Sequence, residues 1–287
     1  MKKQLFKNKR LNELFTRFTK SKTAVISLVI LGIILFVVLF ADLIVPYSKA
    51  IEINMDDVNL SPSLAHLFGT DNFGRDVFAR IIHGARVSIF IGLSSTLLAM
   101  VISTLLGILA GYRAGVVDNI IMRIMDIMIS IPTILLNICI ISILGNGVVN
   151  LIIAMTIGHI PNFTRIVRSI VMSGRQSGYI EASKASGASE WYIMMKHILP
   201  NALPSIIIQA SMNISGTIVS AAGMSYIGLG CTAPQPEWGL MLSEAKDVMR
   251  LYPHLAVFPG VAIIFTALGF NLFGDGLRDA LDPKLRN

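Results

Sequence analysis

Apolar residues in this chain come in long runs, without the strict alternation of a half-buried strand. Residues 24–41 are apolar apart from Ser27 and are preceded by a strongly basic segment. A run of about 20 apolar residues is long enough to cross a bilayer as a helix, whereas a cleaved signal peptide has a core of roughly 7 to 15. The pattern therefore predicts a retained first membrane helix over 24–45. Further runs follow at 87–111, 120–144, 148–161, 203–224 and 255–273. The run at 148–161 is short for a span, but helical spacing continues beyond it. Phe163, Ile166, Val167, Ile170 and Val171 share one face, Arg165 and Arg168 occupy the other, and Gly174 is the expected stop. The expectation is an all-α membrane protein with six transmembrane helices.

Composition supports that class. The 287 residues are 54% hydrophobic and 14% charged, against about 25% charged in soluble domains. The formal charge of +7 is read as loop asymmetry and not as a nucleic-acid footprint. With six spans, 18 of the 24 Lys and Arg fall on the side of the two termini and 6 on the other. Both termini and the polar loop 175–202 are thus expected in the cytoplasm. The organisation is a basic segment 1–23, a first helix 24–45, an extracytoplasmic segment 46–86, a five-helix core 87–273 containing that loop, and a tail 274–287. Cys139 and Cys231 show no metal spacing or disulfide framework, and the 14 methionines are scattered singly as core or lipid-facing filler.

The loop has a pattern of its own. Residues 179–186 are good helix formers, Gly187 sits where a left-handed cap belongs, Ser189 can cap a second helix over 190–199, and Pro200 is expected to end it. Ala182, Ser183, Ala185, Ser186 and Ala188 offer a small-residue surface, with Trp191 and Tyr192 as anchors. Such a helix–turn–helix suits either a docking protein or the lipid headgroups. Arg123 and Asp126, three residues apart at the start of the third span, can pair with each other or with a neighbouring helix. His159 and Asn162 beside Pro161 are read as packing residues. In the outer segments, Arg75, Asp76 and an exposed Trp238 are candidate contacts for an external partner, with local turns and caps (Thr70, Asp71, Gly74) as the alternative. His66 and His83 are too far apart to read as a ligand pair. Ser225 with His254 raises an intramembrane serine protease, but position 226 is Tyr where G-x-S-G needs Gly. A channel would need a charged ring or filter-like stretch, and none is recognisable.

These residues resemble a known family. Glu181-Ala182, Gly187 and Leu199-Pro200 match the EAA loop of ATP-binding-cassette importer permeases, with Ser183 at the usual third Ala and His197 at an aliphatic position. HILPNALP, GTDNFGRD (69–76), GAR (84–86), MRIMDIMISIP (122–132), GLG (228–230), PEWG (236–239) and FNLFGDGLRDALDP (270–283) resemble the second, "C" permease of the peptide and nickel subfamily. The resemblance implies a type I importer permease (MetI-like) fold with a cytoplasmic coupling helix. Glu181, Ala182, Ser183, Gly187, Trp191, Leu199 and Pro200 would form the ATPase-coupling loop. Implied partners are a second permease subunit, two ATP-binding subunits, an extracytoplasmic solute-binding protein and membrane lipid, without nucleic acid. The chain has no G-x-x-x-x-G-K-[ST] loop, so ATP is expected on the partners, with no catalysis, cofactor or metal of its own. Peptides are the implied cargo, with nickel or a metal chelate as the alternative.

Overall fold

In a computed structural model, residues 18–19 and 21–281 are described, and their regular secondary structure is helical apart from a single bridge between Thr70 and Asp76. The basic segment before residue 18 and the tail after 281 lie outside the described residues. Helix α1 (Lys22–Ile44) is apolar on every side and leaves Val29, Ile33, Leu35, Phe36 and Leu39 more than half exposed, as suits a helix whose solvent is lipid. Helix α2 (Val77–Arg113) begins ten residues before the apolar run at 87. Asp76 explains the early start, because its carboxylate accepts from the Ala79 N–H at 2.8 Å and caps the helix.

The third run, 120–144, is not one span. It is split into α3 (Gly115–Ile129) and α4 (Thr133–Leu144), bent by 87° at the break. Pro132 lacks a backbone donor and biases Ile131 away from helical dihedrals, so the ladder stops there. Helix α5 (Val148–Arg175) runs through Pro161 and ends one residue past Gly174. The hairpin follows as α6 (Gly178–Ala185) and α7 (Glu190–Ile193). Pro200 does not end this second helix, contrary to expectation. A π-helical turn over Met194–Ile198 leads directly into α8 (Leu199–Tyr226). The Leu199 N–H reaches back five residues to the Met194 carbonyl, and the widened turn accommodates a ring that an ordinary turn would reject. Between α8 and α10 (His254–Leu281) lies an unforeseen short helix, α9 (Trp238–Ala245), whose N-cap Glu237 accepts from the Gly239 and Leu240 N–H groups.

Four helical stretches, α1, α2, α7 through α8, and α10, are long and apolar enough to cross a membrane, and the broken α3–α4 pair makes a fifth. Helix α5 has the length but interrupts its apolar run with His159, Asn162, Arg165 and Arg168. Composition alone therefore does not yield the sixth span.

Helices α2 and α5 cross closely. A Cβ on Gly107 would lie 2.6 Å from the Val167 Cβ, and one on Gly111 would lie 2.8 Å from the Arg168 carbonyl oxygen. Gly107 and Gly111 are four apart, so together they let two backbones approach along one stripe. Around that crossing Ile108, Tyr112, Val167 and Val171 meet Ile180, Ile193, Met194 and Ile198 from the hairpin. At the other end of α2 a second cluster gathers Val77, Ala85 and Ile89 with Trp238, Met241 and Leu255.

Candidate functional site

The hairpin is built from the base outward. Ile180 on α6 and Ile193 on α7 are fully buried against α2 and α5, which fixes both arms of the hairpin to the bundle. Lys184 Nζ lies 5.1 Å from the centre of the Tyr112 ring, and the Arg175 guanidinium 5.9 Å from it. These cations over one aromatic face add a second attachment. The turn is a Schellman cap. Gly187 sits at φ +80°, its N–H donates to the Lys184 carbonyl at 2.9 Å, and the Ala188 N–H donates to the Ser183 carbonyl at 3.2 Å. Ser189 then caps α7 by accepting from the Tyr192 N–H at 3.3 Å.

With its apolar side anchored, the hairpin turns the rest outward. Glu181, Ala182, Gly187 and Pro200 are exposed, Ser183 and Leu199 are half-buried, and Trp191 is 59% exposed. The expected coupling-loop residues thus share one protruding element, and no atom lies within 4 Å of where a Gly187 Cβ would be. Glu181, Lys184 and Arg175 also border an open cleft of about 350 Å³ between α6 and the end of α5.

Arg123 and Asp126 do not pair with each other. Asp126 accepts from Arg165 of α5 at 2.5 Å, while Arg123 is exposed. Eight residues earlier on α3, Asp118 takes both Nε and Nη2 of Arg168, at 2.5 and 2.6 Å. The two arginines on the polar face of α5 therefore tie down α3, the first pair as a half-exposed bridge of little net stability and the second as a sheltered two-pronged one. Of the two pairings that the sequence left open, Asp126 takes the one with a neighbouring helix, and Arg165 lies 39 residues away.

The outer candidates require a correction. Trp238 is not exposed: it is 3% accessible and its indole N–H donates to the Ile81 carbonyl at 3.0 Å. Arg75 and Asp76 are also buried. Asp76 caps α2 and shares a hydrogen bond of 2.9 Å with His66 Nδ1. Arg75 bonds Asp71 at 2.7 Å and Glu244 of α9 at 2.8 Å, and Arg80 reaches the same two carboxylates. GTDNFGRD therefore forms turns, a cap and an internal ion network, which the Asp71 and Gly74 alternative had pointed to. Glu237, which sequence reading passed over, is buried where it accepts from Ser88 Oγ at 3.1 Å, and desolvation raises its carboxyl above the usual range. Ser225 packs against Gly230 and His254 against Gly69, so the two are held in separate packing environments.

Comparison with known proteins agrees with this architecture. Residues 103–287 match the family described as "Binding-protein-dependent transport system inner membrane component", and residues 4–62 match the "N-terminal TM domain of oligopeptide transport permease C". The glutathione transport system permease protein GsiD of Pectobacterium atrosepticum is 44% identical over 275 residues, 96% of this chain and 91% of its own length. The dipeptide transport system permease protein DppC of Alkalihalophilus pseudofirmus is also 44% identical, over 96% of this chain and 90% of its own. Among solved structures, the inward-facing MetNI methionine transporter in its native crystal form superimposes with a TM-score of 0.59, at 22% identity, over 71% of this chain and 98% of that one. This likeness establishes a shared MetI-like fold. The chain belongs to the family of binding-protein-dependent transport system inner membrane components, the permeases of ATP-binding-cassette importers.

Proposed function

We propose that this chain pairs with a second, different permease subunit to line the translocation path of a peptide importer. Two cytoplasmic ATP-binding subunits would drive it, and an extracytoplasmic solute-binding protein would deliver the cargo. The permease does no covalent chemistry and holds no cofactor. Relatives named for dipeptide and glutathione transport favour peptides over nickel or a metal chelate.

The observation that carries the reading is the outward-facing hairpin on a buried base. A partner that grips Glu181, Ala182 and Trp191 pulls on Ile180 and Ile193, which are seated against α2 and α5. Closure of the ATP-binding subunits would draw the hairpins together and rock the bundles, and release after hydrolysis would return them. The test is ATP-dependent peptide uptake by the purified importer in liposomes. Glu181→Ala and Trp191→Ala are expected to cut uptake about tenfold or more in a complex of unchanged subunit ratio. Gly187→Val should do the same if the turn transmits motion. Normal uptake by all three would exclude the hairpin as the coupling element, and loss of assembly would assign it a merely structural role.

A further inference from the structure

One face of α8 differs from the rest of that helix's exposed surface. Positions 205, 209, 213, 216, 220 and 223 recur at spacings of four and three and lie on one side of the helix. They are Ser205, Gln209, Asn213, Gly216, Ser220 and Gly223, and all are exposed or half-exposed. No large apolar side chain interrupts them. Other exposed positions on the same helix, Leu203, Ile207 and Val219, are of the kind that lipid favours. Gly216 and Gly223 have no atom within 4 Å of a would-be Cβ, so they serve no helix packing within the chain and keep the face open.

Helix α5 borders this face and continues its chemistry. His159 Nε2 meets Thr217 Oγ1 at 3.0 Å, and the same hydroxyl meets Thr96 Oγ1 at 3.1 Å. These contacts join α5, α8 and α2 along the edge of the stripe. One turn along α5 from His159, the Asn162 side chain is exposed. Asn213 uses its amide N–H on the Gln209 backbone carbonyl at 2.8 Å, leaving its side-chain oxygen as a free acceptor. At the far end, Gly228 accepts from Asn146 at 2.9 Å, and Asn146 borders an open hollow of about 660 Å³ with Arg86, Asn150 and Gln235.

From this arrangement we infer that the α8 stripe, with Asn162 of α5, is a binding wall for the main chain of the transported peptide. Its amides and hydroxyls supply donors and acceptors that match successive peptide N–H and C=O groups. Lipid would leave those groups unsatisfied. The stripe carries no ionised side chain, so it matches the neutral backbone common to all peptides and does not select side-chain charge. The wall would then pass peptides of varied sequence. The inference rests on that reading for its cargo.

Two experiments on the assembled importer in liposomes test it. First, Ser220→Cys and Gly216→Cys, each in a Cys139→Ser, Cys231→Ser chain, are treated with a charged methanethiosulfonate reagent. Reaction is expected, and its absence places the face on lipid or the second permease and overturns the wall. Second, the Gln209→Leu, Asn213→Leu double variant is assayed for alanyl-alanine uptake. At least a tenfold loss is expected with binding-protein-stimulated ATP hydrolysis retained. The polar replacement Gln209→Asn, Asn213→Ser should keep uptake within about threefold of the original, which separates a lost hydrogen-bonding wall from a damaged fold. Uptake by the leucine variant within twofold of the original overturns the proposal. An original complex that takes up no peptide refutes the peptide-importer reading alone, while the labelling result still decides whether the face is a wetted wall.

Discussion

Two residues show how closely space and chemistry are set. Gly107 lies where α2 meets α5, with Val167 Cβ 2.6 Å from any added methyl, whereas Gly260 of α10 has open space. Gly107→Ala should therefore destabilise by about 1–3 kcal/mol through overpacking, and Gly260→Ala should be neutral or slightly stabilising. Thermal unfolding in detergent compares them, and equal melting temperatures would contradict the close crossing. Cys231 is the second case. Burial pushes its thiol up to about 12, with the nearby Glu237 carboxylate acting in the same direction. The thiolate is the reactive form, so at pH 8 its share falls by roughly a thousandfold against an ordinary thiol. Maleimide should leave Cys231 unmodified in the folded importer and modify it once the protein is unfolded in detergent. Rapid modification of the folded protein would mean that the site opens to water.

At the scale of elements, what periodicity could reveal and what it could not divide along physical lines. The long apolar runs marked α1, α2, α8 and α10, and the pattern from Phe163 to Val171 carried α5 past the end of its apolar stretch. Caps were legible too, because Gly187 and Ser189 act within their own turns. Three features escaped the periodicity. Pro200 reads as a stop unless the Leu199 N–H finds the Met194 carbonyl, and hydropathy is blind to a backbone that widens by one residue. Pro132 inside an apolar run was outweighed by the run itself. Trp238 looked exposed because it follows a polar loop, yet its burial depends on Ile81, far away in sequence. The ion network is a further long-range feature. Glu244 of α9 joins Arg75 and Arg80 to the outer segment, and the Asn72 amide donates to the Glu244 carbonyl at 2.8 Å. Glu244→Ala would leave two buried guanidinium groups sharing Asp71. The expected cost is about 3–5 kcal/mol, read as a lowered melting temperature, and less than 1 kcal/mol would mean that the arginines are solvated in its absence.

For the whole molecule, composition leaves open whether α5 crosses the membrane, and the packing at the two ends of the bundle bears on it. The turn before α5 is pinned by the Gly147 N–H on the Gly230 carbonyl at 2.9 Å and by Asn146 on Gly228, in the segment that leads to α9 and the first turns of α2. The far part of α5 packs through Val167 and Val171 on Gly107 and Gly111, near the last turn of α2 and beside the hairpin. Helix α5 therefore runs the length of α2 in the opposite direction, and its arginines meet Asp118 and Asp126 of α3 instead of lipid. Were α5 a span, the broken α3–α4 pair would have to cross as well, because its end at Leu144 leads directly into the pinned turn. We propose six crossings on this packing, which would put the hairpin on the side richer in Lys and Arg. Single cysteines at the exposed positions Ser63, Asn146 and Ala185 test this in intact cells with a membrane-impermeant thiol reagent. Ser63→Cys and Asn146→Cys should react from outside, and Ala185→Cys only after the membrane is opened. If Ala185→Cys reacts from outside together with Ser63→Cys, then one of α3–α4 and α5 does not cross, and the hairpin faces away from any cytoplasmic ATPase. If Asn146→Cys is the one that stays protected, the bent pair turns back within the bilayer and α5 lies along the inner face.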